Sequence, residues 1–454
     1  MRKLSKIMHL YAALGCAGVP SCVLASGFAL IEQNASGLGN AYAGQAAVAE
    51  DASTVFFNPA GMTKLSGRQI LVAGHIIVPS AKFNDTGSSA AGGGFALGAN
   101  GVDGGSAALV PSLYATWAID SKWSVGVGIT VPFGLKTDYD ADWIGRFHAL
   151  KSEIKTLNVN PSIAFKINDA LSIGAGINFQ HIEAEITKAV NYTAVGAALG
   201  VPLGTAGSNK IDGKDNAWGF NLGVLINPAP NTNIGLTYRS AMAYKLSGAA
   251  NYFGRPTALN TAISGGFGAA VAAAAFDQVG DGPITADLKL PASFSAALKH
   301  QINPTWDVLA DATWTQWSSL KTLDIVRSNG ALIESTPFEW RNTWRVGFGF
   351  NYRPNDAWTV RTGVAYDQTP TSNTYRIPRL PDESRTWLAI GGQYKVSKVG
   401  AIDFGYAHLF VNDPAVALTG LPTISAAAAA GRGNLVGNYR NSLDIVSIQY
   451  RHTF

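Results

Sequence analysis

WRVGFGFNYRPNDAWTVRTGVAYD, residues 344–367, decides the fold. Its first arm places Trp344, Val346, Phe348, Phe350 and Tyr352 on one face, and Arg345, Gly347, Gly349, Asn351 and Arg353 on the other. After the turn-forming Pro354-Asn355-Asp356, the second arm separates Trp358, Val360, Thr362, Val364 and Tyr366 from Thr359, Arg361, Gly363, Ala365 and Asp367. Such alternation marks a strand, whose successive side chains point to opposite sides. Which face is large matters more. Trp and Tyr stand near the ends of the apolar face, while glycine and charge share the other. A soluble sandwich shares the alternation and would keep the small, charged face wet. Aromatic rings at both ends of an apolar face instead fit a lipid-facing exterior around a polar lumen.

The alternation extends along the chain. Strands are predicted near 68–79, 107–118, 122–133, 154–167, 171–187, 211–227, 232–246, 284–302, 305–326, 337–353, 357–368, 384–396, 400–411 and 437–454. That is about fourteen, and an even number suits a single-chain bacterial barrel. Short, turn-rich connections (Asp120-Ser121-Lys122, Asn303-Pro304, Pro354-Asn355-Asp356) alternate with long ones near 80–106, 134–153, 188–210, 247–283, 327–336, 369–383 and 412–436. Trp123, Trp306 and Trp358 each follow a short turn, which sets an aromatic ring repeatedly at one membrane interface. The expected class is all-β, a 14-stranded antiparallel transmembrane barrel with a plug in its lumen, acting as a monomer. The last strand ends on Phe454, which resembles the signal read by outer-membrane assembly machinery.

Before the strands lies SGFALIEQNASGLGNAYAGQAAVAEDASTVFFNPAGMTKLSG, residues 26–67, with few charges and no clean period. One irregular block ahead of a series of strands reads as a hatch inside the barrel of residues 68–454. Residues 1–25 read as a secretory signal: Arg2, Lys3 and Lys6, an apolar run, then Val23-Leu24-Ala25. Its removal leaves 31 basic against 30 acidic residues, a balance that argues against nucleic acid as partner. Cys16 and Cys22 leave with it, so the mature chain has no disulfide or thiolate chemistry. Later runs fall short of the ~18 apolar residues of a membrane helix. G-x-S-x-G, H-E-x-x-H and nucleotide-binding loops are absent, so neither an enzyme nor a cofactor is expected. A His–Ser pair across strands stays open.

Several motifs resemble the FadL/TodX family of long-chain fatty acid and hydrocarbon channels. They are SGLGNAYAG (36–44), EDAS (50–53), FFNPAGM (56–62), WIGRF (143–147), TLNVNPSIAFKIND (156–169) and WTVRTGVAYDQTP (358–370) leading to RIPRLPDESRTWLAIGGQY (376–394). The resemblance covers essentially the whole mature chain. It implies an outer-membrane location among lipid and lipopolysaccharide, and passive uptake of a fatty acid or other hydrophobic small molecule. Aromatic or alkane hydrocarbons are the alternative substrates, and a general porin or an outer-membrane lipase the weaker readings.

The resemblance also implies where substrate would travel. It would rest first on a loop groove, for which Ala258–Phe276 offers a short helix carrying Leu259, Ile263, Phe267 and Val271, unless Gly265, Gly266 and Gly268 leave the loop flexible. It would then reach a pocket beside the mature N-terminus, Ser26, Gly27 and Phe28. Arg341 would hold a carboxylate, whereas Arg345, Arg361 and Arg385 read as lumen ion-pair partners of Asp367 and Glu339. The fifth strand carries Glu183 and Glu185 where the family pattern has a second base, which leaves neutral substrates open. Exit would pass Asn58-Pro59-Ala60 and an inward kink of the third strand at Pro132 and Gly134. Pro132 merely ending that strand is the competing reading.

Overall fold

The hairpin at 344–367 forms in the register its pattern requires: Arg345 faces Asp367, Phe348 faces Val364 and Tyr352 faces Val360. The computed structural model describes residues 27–419 and 431–454; the secretory signal and Ser26 lie outside them. Fourteen antiparallel strands form a closed barrel. They are β1 (Arg68–Asp85), β2 (Ala108–Ala118), β3 (Trp123–Thr130), β4 (Lys151–Asn168), β5 (Leu171–Asn191) and β6 (Ala206–Ala229). Next come β7 (Thr232–Arg239 and Met242–Phe253), β8 (Gly282–Leu290 and Ser293–Gln301), β9 (Trp306–Thr315 and Thr322–Arg327) and β10 (Leu332–Pro337 and Thr343–Tyr352). The last are β11 (Trp358–Asp367), β12 (Arg385–Lys395), β13 (Gly400–Val411) and β14 (Leu435–Thr453). β14 closes the ring on β1, from Gln69↔Thr453 to Asp85↔Gly437.

The faces divide as charge and size dictate. Phe348, Val364 and Tyr366 are exposed outward, while Arg345, Arg361 and Arg385 are buried inward. At the short-turn end one device recurs. Asp120 accepts the backbone N–H groups of Lys122 and Trp123, both at 2.7 Å. Asn303 accepts those of Thr305 and Trp306 at 2.9 and 3.0 Å, and Asn355 those of Ala357 and Trp358, both at 3.0 Å. The side chain closes the turn, and the Trp three residues on packs against the neighbouring strand. Ring centroids lie 4.5 Å apart for Trp123–Phe165, 4.6 Å for Trp306–Tyr352 and 4.8 Å for Trp358–Tyr394.

Residues 27–67 hold three single-turn helices, α1 (Ala35–Leu38), α2 (Gln45–Val48) and α3 (Thr54–Phe57), and a 3-10 turn, Pro59–Lys64. Their side chains are almost all buried. The block touches inward-facing positions around the wall: Gly126 of β3, Gly235 of β7, Leu309 of β9, Gly391 of β12 and Gly405 of β13. It therefore lies within the ring of strands.

Strands predicted as continuous are interrupted at Ser240-Ala241, Pro291-Ala292, Gln316–Lys321 and Phe338–Asn342. After the single-turn α4 (Tyr192–Gly196), the helix expected over Ala258–Phe276 is two, α5 (Thr257–Ile263) and α6 (Ala269–Val279). Gly265 and Gly268, both at φ +90°, separate them, a conformation that side-chain-bearing residues resist.

Candidate functional site

β3 stops at Thr130 and resumes as Gly134–Asp138, which pairs with β4. The interruption frees backbone groups, and the N-terminal segment takes them. Leu30 N–H donates to the Pro132 carbonyl at 2.8 Å, and Gly134 N–H to the Phe28 carbonyl at 2.9 Å. On the other side of β3, its ladder with β2 ends at Leu113↔Ile129, while Ala108–Ser112 continue to pair with β1. Gln33 spans this gap. Its Nε2 donates to the Val131 and Leu30 carbonyls at 2.8 and 3.1 Å; its Oε1 accepts from Ser112 Oγ at 3.3 Å, and its carbonyl from Tyr114 OH at 3.0 Å.

Phe28 is packed by Trp317, Trp340 and Phe133, with centroids 5.1, 5.8 and 6.0 Å away. Gly27 lies flat on Trp317 at φ +60°, where a Cβ would stand 2.6 Å from the indole. Its N–H donates to Asp382 Oδ2 at 3.1 Å, and Thr369 Oγ1 donates to the same oxygen at 2.7 Å. Burial pushes the Asp382 carboxyl up to about 6, against the opposing pull of Arg385.

Beside this box is a cavity of about 170 Å³. The N-terminal block contributes Ala29, Leu30, Ile31, Tyr42, Phe56 and Phe57; the wall adds Phe133, Trp317 and Trp387. Its charged lining is Arg239, Asp311, Arg345 and Asp367. Arg345 Nη1 pairs with Asp311 at 3.4 Å, and Asp367 with Arg385 Nε at 3.3 Å. Glu32 is buried in the block with its Oε2 unpartnered, and burial raises its carboxyl to about 7. An apolar chamber with few, largely neutralised charges holds hydrophobic molecules, not hydrated ions.

The sequence matches the family model described as outer membrane protein transport protein (OMPP1/FadL/TodX) over residues 16–454. The chain belongs to this family. It is 31% identical over 452 residues to the 47 kDa outer membrane protein of Pasteurella multocida, covering 97% of this chain and 100% of that one. It is 28% identical over 418 residues to the long-chain fatty acid transport protein of Escherichia coli K12, covering 87% and 90% respectively. The crystal structure of a Pseudomonas aeruginosa FadL homologue superimposes with TM-score 0.85 at 28% identity, covering 94% of this chain and all of that one. A FadL/TodX barrel is an outer-membrane transporter of hydrophobic compounds.

Within this FadL/TodX barrel the expected site residues separate. Phe28 stands behind the cavity, pressed on two lining residues, Phe133 and Trp317. Arg341 is exposed and lies off the cavity lining, its Nε donating to the Thr369 carbonyl at 3.3 Å. It falls in the interruption of β10, across which the parity shared with Arg345 does not carry. Glu339 pairs with Lys321 at 3.4 Å, not with a lumen arginine. Glu185 is held between Lys151 at 3.0 Å and Lys210 at 2.6 Å.

Asn58-Pro59-Ala60 sits away from the β3 interruption, on a notch in β5 and β6. A Cβ at Gly223 would fall 2.1 Å from Asn58 Oδ1, and one at Gly174 would fall 2.4 Å from the Ala60 nitrogen. Asn58 Nδ2 fastens the notch by donating to the carbonyls of Val224 at 3.0 Å and Ala46 at 2.7 Å. Leu259 is buried on α5 near Val201, whereas Phe267 is 49% exposed in the α5–α6 turn, so the two share no stripe. A His–Ser pair does form across strands, His75 Nδ1 to Ser447 Oγ at 2.6 Å. Both residues are sealed in the wall and neither lines the cavity.

Sequence reasoning missed Trp317, Trp340 and Arg239. Trp317 follows Gln316 and precedes Ser318-Ser319, a run that breaks the alternation of β9. That loss of period is the signal that points to it.

Proposed function

We propose that this transporter passively takes up long-chain fatty acids across the outer membrane. The observation that carries the reading is the apolar cavity, floored by the N-terminal hatch and adjoining the gap between β2 and β3. Substrate would settle among the outer loops, including the α5–α6 segment, and descend into the cavity. It would leave sideways where Gln33 spans the gap, with Leu30 and Phe28 released from β3. Asn58-Pro59-Ala60 acts in this scheme as the pivot on which the hatch stays seated. Leu259 supports the loop groove and Phe267 presents an apolar ring to incoming substrate. No step needs an enzyme or an energy-coupling domain; downhill partitioning and consumption inside the cell drive the flux. Phe454, 69% exposed at the periplasmic rim, offers its ring to the assembly machinery before insertion.

A second reading, a monoaromatic hydrocarbon channel, draws on size. The cavity of about 170 Å³ is close to the ~150 Å³ apolar cavity known to bind benzene. A long chain needs more room, which a shift of the hatch would supply. A deletion strain complemented with this chain and grown on oleate or on toluene tests both. Restored growth on oleate supports the fatty acid reading; restored growth on toluene alone replaces it with the second; growth on neither removes both.

A further inference from the structure

The wall has a second break, between β8 and β9. Their ladder runs from Ile284↔Arg327 to Ala286↔Ile325 and resumes from Ser293↔Thr315 to Gln301↔Asp307. Between those stretches the two strands share no register. Pro291, which has no N–H to give, interrupts β8, and the 3-10 turn Trp317–Ser319 interrupts β9. The outer flanks stay joined. Asp287–Leu290 pair with β7, and the Lys321 carbonyl accepts the N–H groups of Phe338 and Glu339 at 2.8 and 2.9 Å. The opening is therefore confined to one seam. On its outer side is a recess of about 430 Å³, lined by the buried side chains of Tyr244, Leu288 and Leu320 and rimmed by exposed Lys245, Lys289 and Lys321. On its inner side is the cavity already described, to which Pro291 and Trp317 belong. Along each strand the two linings are two residues apart, Lys289 and Pro291 on one, Trp317 and Ser319 on the other.

The neighbours of the seam fix its height. Phe294, Trp314 and Trp344 stand side by side on β8, β9 and β10 just below it, with Phe294 and Trp344 exposed outward. Trp306, at the periplasmic rim, and Trp314 are about 26 Å apart along β9, roughly 20 Å of depth at a barrel's tilt, against an apolar band about 25 Å tall. The three rings thus form the outer aromatic girdle, and the lysines above them reach the headgroup layer. A strand edge left unpaired at that level is tolerated where it lines a cavity. We propose that the β8–β9 seam is a second side port, through which an uncharged lipophile dissolved in the outer leaflet reaches the cavity without visiting the loops. Leu288, Leu320 and Trp317 give the chain an apolar path, while the lysine rim stays among the headgroups. The turn Trp317–Ser319 is the shutter. Gln316 N–H fixes its lower end to the Ala292 carbonyl at 2.9 Å, whereas Ser319 Oγ reaches the Lys289 carbonyl at 3.5 Å, the limit of a hydrogen bond. The inference rests on the transport reading above and adds an entrance to it.

The test uses the full mature protein in proteoliposomes whose lipid carries a long-chain alkyl diazirine without a head group. The mature chain, freed of Cys16 and Cys22, offers no competing thiol. The double variant Lys289→Cys, Lys321→Cys is bridged across the recess by a short bismaleimide, or capped with N-ethylmaleimide as its control. Leu320→Ala widens the seam. Retained resistance to unfolding in SDS without heating certifies each barrel. A brief exposure to light is expected to leave adducts inside the cavity, on Phe133 and Trp387, in wild type and in the capped variant. Bridging should abolish them, and Leu320→Ala should increase them. Cavity adducts that persist with the seam bridged, or that fall in Leu320→Ala as well, overturn the inference and leave the transport reading standing. Absence of cavity adducts in wild type overturns the port; joined by failure to restore growth on oleate or toluene, it overturns the transport reading too.

Discussion

The N-terminal block meets the barrel differently on its two sides. Against β11–β14 it is welded by charge. Arg361 donates to Glu50 at 2.5 Å, to the Ser36 carbonyl at 2.9 Å and to Asp403 at 3.1 Å. Gln449 donates to both Asp51 and Asp403 at 3.0 Å and accepts from Ala35 N–H at 2.8 Å; Arg451 donates to the Glu50 carbonyl at 2.6 Å. Against β2 and β3 the described residues make only neutral hydrogen bonds and apolar packing, next to a cavity. A buried, multiply bonded ion pair is strongly penalised when one partner leaves, whereas neutral bonds exchange at about 1 kcal/mol each. In the proposed route the weld is the fixed side of the block, and the cavity side is the one that moves.

The largest effect is expected at the weld. Arg361→Ala leaves Glu50 and Asp403 without their cation and should cost about 3–5 kcal/mol. Urea titration of the folded barrel and a gain in permeability to hydrophilic antibiotics measure it. Phe28→Ala on the opposite side removes a packed ring, for about 3 kcal/mol. The loss should be confined to the cavity side, with changed fluorescence from Trp317 and Trp340 and no antibiotic leak. A leak equal to that of Arg361→Ala would erase the distinction between the sides.

Proton linkage separates the sides further. Burial would raise Glu50, but Arg361 overrides it and holds the carboxyl at about 2. Its contribution is present above the ordinary value of 4.5 and is lost as pH falls toward 2. Glu32 has the opposite sign. Its folded value of about 7 exceeds the ordinary 4.5, so the folded state keeps a proton the unfolded state releases. Stability is lost as pH rises from about 4.5 through about 7. Glu32→Gln should abolish that loss, flattening amide exchange of residues 28–33 between about pH 5 and pH 8. An unchanged slope would assign it to Asp382. The smallest effect is Gln33→Ala, about 1–2 kcal/mol, read as faster exchange at 28–33 with protection of 45–60 intact.

How much of this was legible follows from the range of each interaction. Period two is local, so the faces of Trp344–Tyr352 and Trp358–Tyr366 were readable, as was the aromatic rim. Inward parity pointed to Asp367 as a partner of the lumen arginines, but not to Arg385 as the one it meets. The partners of Arg345 and Arg361 did not, because Asp311 and Glu50 come from other parts of the chain. Arg341 shows how parity misleads once an interruption such as Phe338–Asn342 resets it. Arg239 could be placed on the small face of β7, but its partners are Asn178 and Phe56, which only closure of the barrel brings near. Asn58-Pro59-Ala60 was visible as a motif, yet its seat on Gly174 and Gly223 needed the neighbouring strands. Glycines weakened the expected loop helix; their positive φ angles show why it divides there.

The repeated turn at the periplasmic end has a geometric consequence. Trp123, Trp306 and Trp358 project from β3, β9 and β11, three stations spread around the barrel. Three points define a plane. Rings that favour the headgroup layer make that plane the waterline, fixing both the depth and the tilt at which the barrel floats. Trp123 begins the strand that is interrupted at Val131–Phe133. In the proposed route the waterline sets how deep in the bilayer the gap between β2 and β3 faces, and into which layer of lipid a departing molecule is delivered.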